Sequence, residues 1–321
     1  MRKRISMQQQ IDEMTLSKAF ENFISERKIL KLAEKTIVSY ENRFNNFTEF
    51  FSGENMCSEV SLQTIYKFIE FLQKRNPAIK TVTINTYLRH LRAIFYYFME
   101  QGYMERFDIK MIKDDRELKE TYSSAELERL LKKPDVKEVG FSEYRNWVII
   151  CYLLGTGNRL GTLCNLKIGD VDFTNHEIAL KKVKNRKQYT IPLAPTLEKA
   201  LIEYLKYRNG RENDYLFCTQ YGGKLDESSV TTAIYRYNRA RGVNKTSIHL
   251  FRHTFATEYL RNGGRAEILQ KLLGHSTMSM TLEYVHMVAG DLMQDFDQFN
   301  PLEKMAENSP KSHIKMVKSL K

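Results

Sequence analysis

The chain has 321 residues, more than one compact core ordinarily holds and enough for two domains. With 42% hydrophobic and 28% charged residues, its composition excludes a disordered or low-complexity polymer and leaves a globular protein. Lys and Arg number 50 against 39 Asp and Glu, and the resulting net charge of +11 suits a polyanionic partner.

Residues 1–14 read as an N-terminal extension. Met1-Arg2-Lys3-Arg4 is positive like the start of a signal peptide, but Gln8-Gln9-Gln10 and Asp12-Glu13 follow where an apolar run would be needed. Residues 15–104 then read as a bundle of four or five helices. Two helical stretches cover about 16–30 and 34–51. Leu62, Ile65, Ile69 and Leu72 recur at helical spacing, as do Ile84, Tyr87, Leu88, Leu91, Ile94, Phe95 and Phe98, with Gly102 as a stop. From 105 to 120 periodicity fades and charge dominates, which marks a linker.

A second domain is expected over 121–300. Ser123-Ser124-Ala125-Glu126 has the spacing of a capping box, in which a hydroxyl and a carboxylate satisfy free N–H groups of a helix start. Trp147 to Leu154 is a buried helix, too short to span a bilayer, and it ends near Gly155 and Gly157. Two strands, 178–183 and 188–193, flank a turn carrying Lys181, Lys182, Lys184, Arg186 and Lys187. Helices follow over about 196–207, 226–239, 249–261, 265–273, 277–286 and 291–299, the last presenting Leu292, Phe296 and Phe299 on one face. A basic tail, 301–321, closes the chain. The whole is mainly α with a small antiparallel β-sheet. Cys57, Cys151, Cys164 and Cys218 form no C-x-x-C pair and read as free thiols of a reducing compartment, so the protein is expected in the cytoplasm, free of membrane.

Chemistry concentrates in the second domain. His249 and Arg252, three apart on one helix face, suit a phosphate diester, because the guanidinium fork grips two oxygens and the imidazole can move a proton. His249 and His253, four apart, could bind a metal, but Leu250 stands where a metalloprotease places its Glu and no third ligand is visible. Singly each feature has an ordinary reading: a surface ion pair, a solvated basic turn, or a core tyrosine among 18 tyrosines. The specificity is in the ordered set. Arg159 follows a Gly-flanked break, then come the basic turn, His249-Leu-Phe-Arg252-His253-Thr-Phe-Ala-Thr, Leu273-Gly274-His275, and Tyr284 nine residues later, with His286 after it.

This set resembles the tyrosine recombinase (phage integrase) family, strongly over about 120–290 and weakly over 15–105. The resemblance implies an N-terminal helical core-DNA-binding domain (SAM-like) and an α+β catalytic domain that together clamp duplex DNA from opposite faces. Arg159 and Arg252 would grip the scissile phosphate, His275 would hydrogen-bond it, and Tyr284 would be the nucleophile. His249 would help deprotonate Tyr284, whose free pKa is about 10. Lys184 would protonate the departing 5′-hydroxyl, with Lys182 and Lys187 as its nearest rivals. The product would be a 3′-phosphotyrosyl intermediate, without ATP, metal or other cofactor, leading through a Holliday junction to strand exchange by a homotetramer on two duplexes. The helix around Leu292, Phe296 and Phe299 would dock on a neighbouring protomer or pack on its own. Where the family places an acid three residues after the first Arg, this chain has Thr162. Two rivals stand beside this reading: a type IB topoisomerase-like nicking and resealing enzyme, and a catalytically weak DNA-binding regulator. Within the recombinase reading, integration or transposition of a mobile element and resolution of a chromosome or plasmid share the same core. No further arm-binding domain is expected before about residue 15.

Overall fold

The computed structural model describes residues 13–113, 120–181 and 188–288. They fall into two compact units that divide near residue 117. Each is built around its own hydrophobic core.

Among its described residues the first unit has four α-helices: α1 (Leu16–Ile29), α2 (Glu34–Phe50), α3 (Leu62–Arg75) and α4 (Thr81–Glu100). Local chemistry marks their ends. Ser61 and Thr64 form a reciprocal capping box at the start of α3. α4 stops at Gly102, whose φ of +79° suits a residue without a β-carbon. The buried stripe of α4 follows the predicted spacing from Ile84 to Phe98, except that Tyr87 is only half-buried. The core is aromatic. Phe20 stacks on Phe44 with ring centroids 3.9 Å apart, and Phe47 meets Phe68 and Phe95 edge-on, each at 5.2 Å.

The expected linker begins with residues that are anchored to this unit. Asn85 Nδ2 donates to the Ile112 carbonyl at 2.8 Å, and the Ile112 amide donates to Asn85 Oδ1 at 2.9 Å. Ile109 is buried in the same core. The side-chain amide acts here as a strand partner for a segment with no periodicity of its own, which is why spacing alone reads this segment as a tether.

The second unit begins with α5 (Ser124–Leu131), capped by Ser123 and Glu126 as expected. α6 (Phe141–Thr156) is buried on nearly every side and ends at Gly157. A one-turn helix, α7 (Leu160–Leu163), follows at once. The sheet has three antiparallel strands in the order β1 (Val171–Asp172), β2 (Glu177–Leu180) and β3 (Tyr189–Pro192). Ile178 pairs with Ile191 and Leu180 with Tyr189, which puts the apolar residues of β2 and β3 on one buried face. α7 begins where the break at 155–159 ends one helix and starts another, whereas β1, two residues long, is too short to show a period. The basic turn at 182–187 lies outside the described residues.

Five further helices follow among the described residues: α8 (Pro195–Arg208), α9 (Glu227–Ala240), α10 (Ile248–Arg261), α11 (Ala266–Leu273) and α12 (Ser279–Val288). α10 packs on both α6 and α12, and α11 packs on α10 and α12. The expected helix at 291–299 and the tail after it lie outside the described residues. All four cysteines are free thiols, and burial pushes those of Cys57 and Cys151 up to about 12. Among the described residues, no helix is long and apolar enough to cross a membrane.

Candidate active site

Two glycine turns prepare the site. At Gly157, φ is +61°, and an added β-carbon would collide with Phe255 and Leu273. The turn frees the Gly157 carbonyl from α6. At Gly274, φ is +59°; its amide bonds back to the Lys271 carbonyl and that of His275 to the Gln270 carbonyl, each at 3.0 Å. This termination of α11 leaves the Leu272 and Leu273 carbonyls to other donors, at the helix end that carries partial negative charge.

Cationic side chains fill those places. Arg252 on α10 donates from Nη1 to the Gly157 carbonyl and from Nη2 to the Leu273 carbonyl, both at 2.9 Å. Arg159, at the start of α7, donates from Nη1 to the same Leu273 carbonyl at 3.5 Å. Tyr189 on β3 donates to the neighbouring Leu272 carbonyl at 3.5 Å. The residue before Arg159 is pinned: Asn158 is buried, its amide donates to Thr156 Oγ1 at 3.2 Å and its Nδ2 donates to Tyr152 Oη at 2.7 Å. The first Arg therefore leaves a fixed backbone.

Arg252 is only 6% exposed. Burial and the adjacent Arg159 bring its pKa down to about 10, while Tyr284 and Tyr189 act in the opposite direction. It is a cation throughout the neutral range. Burial raises the Tyr189 phenol, and the two arginines partly oppose this. Two guanidinium groups gathered on one carbonyl are electrostatically suited to an anion with several oxygens.

Tyr284 lies beside this pair, 2% exposed, on α12. Its Oη is 2.8 Å from His253 Nδ1. The His275 ring lies parallel to the phenol at 6.2 Å, with an interplanar angle of 6°. His275 Nδ1 is 2.8 Å from Thr281 Oγ1, and both side chains are buried. Of the residues singled out in the sequence, Arg159, Arg252, His275 and Tyr284 thus meet around the α11–α12 turn. His249 is exposed on the first turn of α10 and makes no hydrogen bond to another described residue. His286 is exposed on α12.

Lys184 and its rivals Lys182 and Lys187 lie outside the described residues. Their neighbour Lys181 is tied to buried Asp170, with Nζ 2.7 Å from Oδ1. Thr162 sits within α7, and the acid expected there is indeed missing. A carboxylate reaches α7 from elsewhere: a β-carbon on Gly161 would lie 3.3 Å from Glu227 Oε1. Among the described residues, no three His, Cys, Asp or Glu side chains gather as a metal site would need.

The contacts of His253, Thr281 and Tyr189 leave no pattern in the sequence, where His253 reads as half of a metal pair with His249 and Tyr189 as a strand residue. The single available signal was that His253 directly follows Arg252.

Comparison with known proteins identifies the family and the fold. The profile of the phage integrase family matches residues 120–290, and that of the phage integrase SAM-like domain matches 15–114. A tyrosine recombinase of Pseudothermotoga lettingae is 26% identical over 279 residues, covering 85% of this chain and 94% of its own. Tyrosine recombinase XerA of Pyrococcus furiosus is 28% identical over 298 residues, covering 91% and 98%. Among solved structures, the Tn1549 transposon integrase in complex with a circular intermediate DNA superposes with a TM-score of 0.70 at 23% identity, covering 84% of this chain and 95% of its own. A lambda integrase dimer bound to a COC′ core site gives 0.70 at 15% identity, with the same coverage. These two share the fold.

Proposed function

The chain belongs to the phage integrase family, and from that membership we propose that it cuts and rejoins duplex DNA at a specific site, with Tyr284 as the nucleophile. The observation that carries the assignment is the convergence of Arg159 and Arg252 on the Leu273 carbonyl, beside a buried phenol already hydrogen-bonded to an imidazole.

A phosphodiester resists attack because it is an anion. In the proposed reaction Arg159 and Arg252 bind its non-bridging oxygens and offset the charge that grows as phosphorus becomes five-coordinate. Tyr284 forms a 3′-phosphotyrosyl bond. The link conserves the energy of the broken ester, so a 5′-hydroxyl of a partner duplex can reverse it without ATP. His275 donates to the phosphate from Nε2, its other nitrogen being held by Thr281. His249, at the exposed start of α10, also contacts the phosphate. Lys184 protonates the leaving 5′-oxygen. Both units contact the duplex, and four protomers on two duplexes carry out exchange through a Holliday junction. The family name, the two-unit plan and the basic charge support this reading.

The test begins with the duplex that the protein itself selects from a random-sequence pool. With that duplex nicked near the scissile phosphate, the released fragment diffuses away and the covalent adduct accumulates. Wild type is expected to yield an adduct whose DNA remnant maps by mass spectrometry to the peptide carrying Tyr284, and Tyr284→Phe is expected to yield none. Adduct without exchange between two intact duplexes would point to nicking and resealing alone. Specific binding without any adduct would make the protein a regulator.

Thr281→Val gives a smaller expected effect. The change keeps shape but removes the hydroxyl that orients His275. Loss of one such bond, about 0.5–1.5 kcal/mol, corresponds to a cleavage rate about 2- to 10-fold lower in single-turnover assays. A Val variant as fast as wild type would remove Thr281 from the account.

A further inference from the structure

We propose that His253, rather than His249, takes the proton from Tyr284 as the phenol attacks DNA. The proposal rests on the assignment of Tyr284 as nucleophile made above.

His253 touches the reacting atom. Its Nδ1 lies 2.8 Å from Tyr284 Oη, across two helices and 31 positions of sequence. Consecutive residues on a helix point about 100° apart. Arg252 is thereby aimed at the Gly157 and Leu273 carbonyls, and His253 at α12. His249, one turn earlier than His253, faces solvent. His275 is parallel to the phenol, but its Nδ1 is engaged by Thr281. The phenol also interacts with Arg252. Tyr284 thus has a proton acceptor and a cation within reach, and phenolate formation requires both: one group receives the proton and the other stabilises the charge left behind.

The step balances. With Nε2 protonated, Nδ1 carries the free lone pair. Tyr284 Oη bonds to phosphorus, its proton passes to Nδ1, and the bond from phosphorus to the 5′-oxygen breaks. That oxygen takes a proton from Lys184. On rejoining, the 5′-hydroxyl attacks, the bond between phosphorus and Oη breaks, His253 returns its proton to Oη, and Lys184 recovers its own. No proton is consumed over the cycle.

The experiment measures single-turnover cleavage of the selected, nicked duplex by the full chain. His253→Gln is expected to lose about 100-fold in rate, within the usual range for an acid–base group. Two chemical rescues separate proton removal from mere packing. A fluorinated tyrosine of lower phenol pKa at position 284 is expected to restore at least about 10-fold to the variant, because its phenol needs less help to ionise. A duplex with a bridging 5′-sulfur, whose leaving group needs no proton, is expected to restore nothing. A His253→Gln rate within threefold of wild type overturns the proposal, as does rescue by the sulfur substrate but not by the fluorinated tyrosine. If His253→Gln does not fold, the decision passes to His249→Gln, which alters an exposed side chain. Its defect is expected to be indifferent to the fluorinated tyrosine, and rescue there assigns the base to His249 instead. Failure of wild type to form any adduct overturns the recombinase reading itself, whereas adduct on Tyr284 without rescue by the fluorinated tyrosine removes only the role of His253.

Discussion

Replacing Arg252 with lysine is expected to slow strand cleavage about 10²- to 10³-fold. The guanidinium holds two backbone carbonyls at once, those of Gly157 and Leu273, each at 2.9 Å. A lysine ammonium is a point donor on a flexible stem and cannot reproduce that planar fork. Loss of one preorganised donor to a developing oxyanion costs about 2.7–4 kcal/mol in other enzymes, which sets the expected factor. The fold should also weaken, because one of two buried carbonyls loses its partner at a cost of about 1–3 kcal/mol. Urea titration measures the second effect and single-turnover cleavage the first. A lysine variant that cleaves within threefold of wild type would remove Arg252 from the phosphate.

The pH behaviour of this residue follows from the direction of its shift. Its pKa in the folded chain, about 10, is below the unfolded value. Burying the charge therefore opposes folding by a constant amount at every pH below about 10. The opposition is relieved only as pH rises through that value, where the unfolded chain binds more protons than the folded one. Across the neutral range Arg252 stays charged and contributes no slope to either stability or cleavage.

Gly157→Ala is expected to destabilise the second unit by about 2–5 kcal/mol. The left-handed backbone at this turn costs an L-residue about 1–2 kcal/mol. The methyl group would also press on Phe255 and Leu273, and overpacking of this kind costs about 1–3 kcal/mol. Gly155 supplies the control within the same helix end. It lies inside α6, and a methyl there would sit 3.4 Å from Leu197 Cδ2, an ordinary contact. Gly155→Ala should be neutral or stabilising by up to about 1 kcal/mol. Equal unfolding midpoints for the two variants would show that Gly157 is not held by its conformation. Because the Gly157 carbonyl is one of the two anchors of Arg252, its replacement should also lower cleavage in whatever fraction remains folded.

Much of this architecture was legible in the sequence, for identifiable reasons. The apolar stripe of α4, the capping box at Ser123 and the strand pair around Ile178 and Ile191 are local patterns, and local patterns survive folding. The grouping of Arg159, Arg252, His275 and Tyr284 was legible only as an ordered set, since each alone has an ordinary surface or core explanation. What stayed hidden depends on backbone atoms or on returns of the chain. The Leu273 carbonyl gathers both arginines, yet a carbonyl is present at every position and no residue type announces it; Gly274 was the trace it left. His253 and Thr281 acquire their contacts from α12 folding back onto α10 and onto the α11–α12 turn. Residues 105–112 looked like a tether because Asn85, far upstream, supplies the hydrogen bonds that fix them.

The turn that ends α11 at Gly274 has a wider consequence. Within the twelve residues from Leu273 to Tyr284, one stretch carries the carbonyl that seats both cations, the imidazole of His275 and the phenol. Side chains from α7 and α10 grip this stretch from outside. A displacement of a few ångström would dismantle all three contributions together, and a return would rebuild them together. Such a layout disfavours a half-assembled state that can break a strand but no longer reseal it. For an enzyme of this family, whose reaction passes through a broken DNA strand, a switch with two positions is safer than a dial.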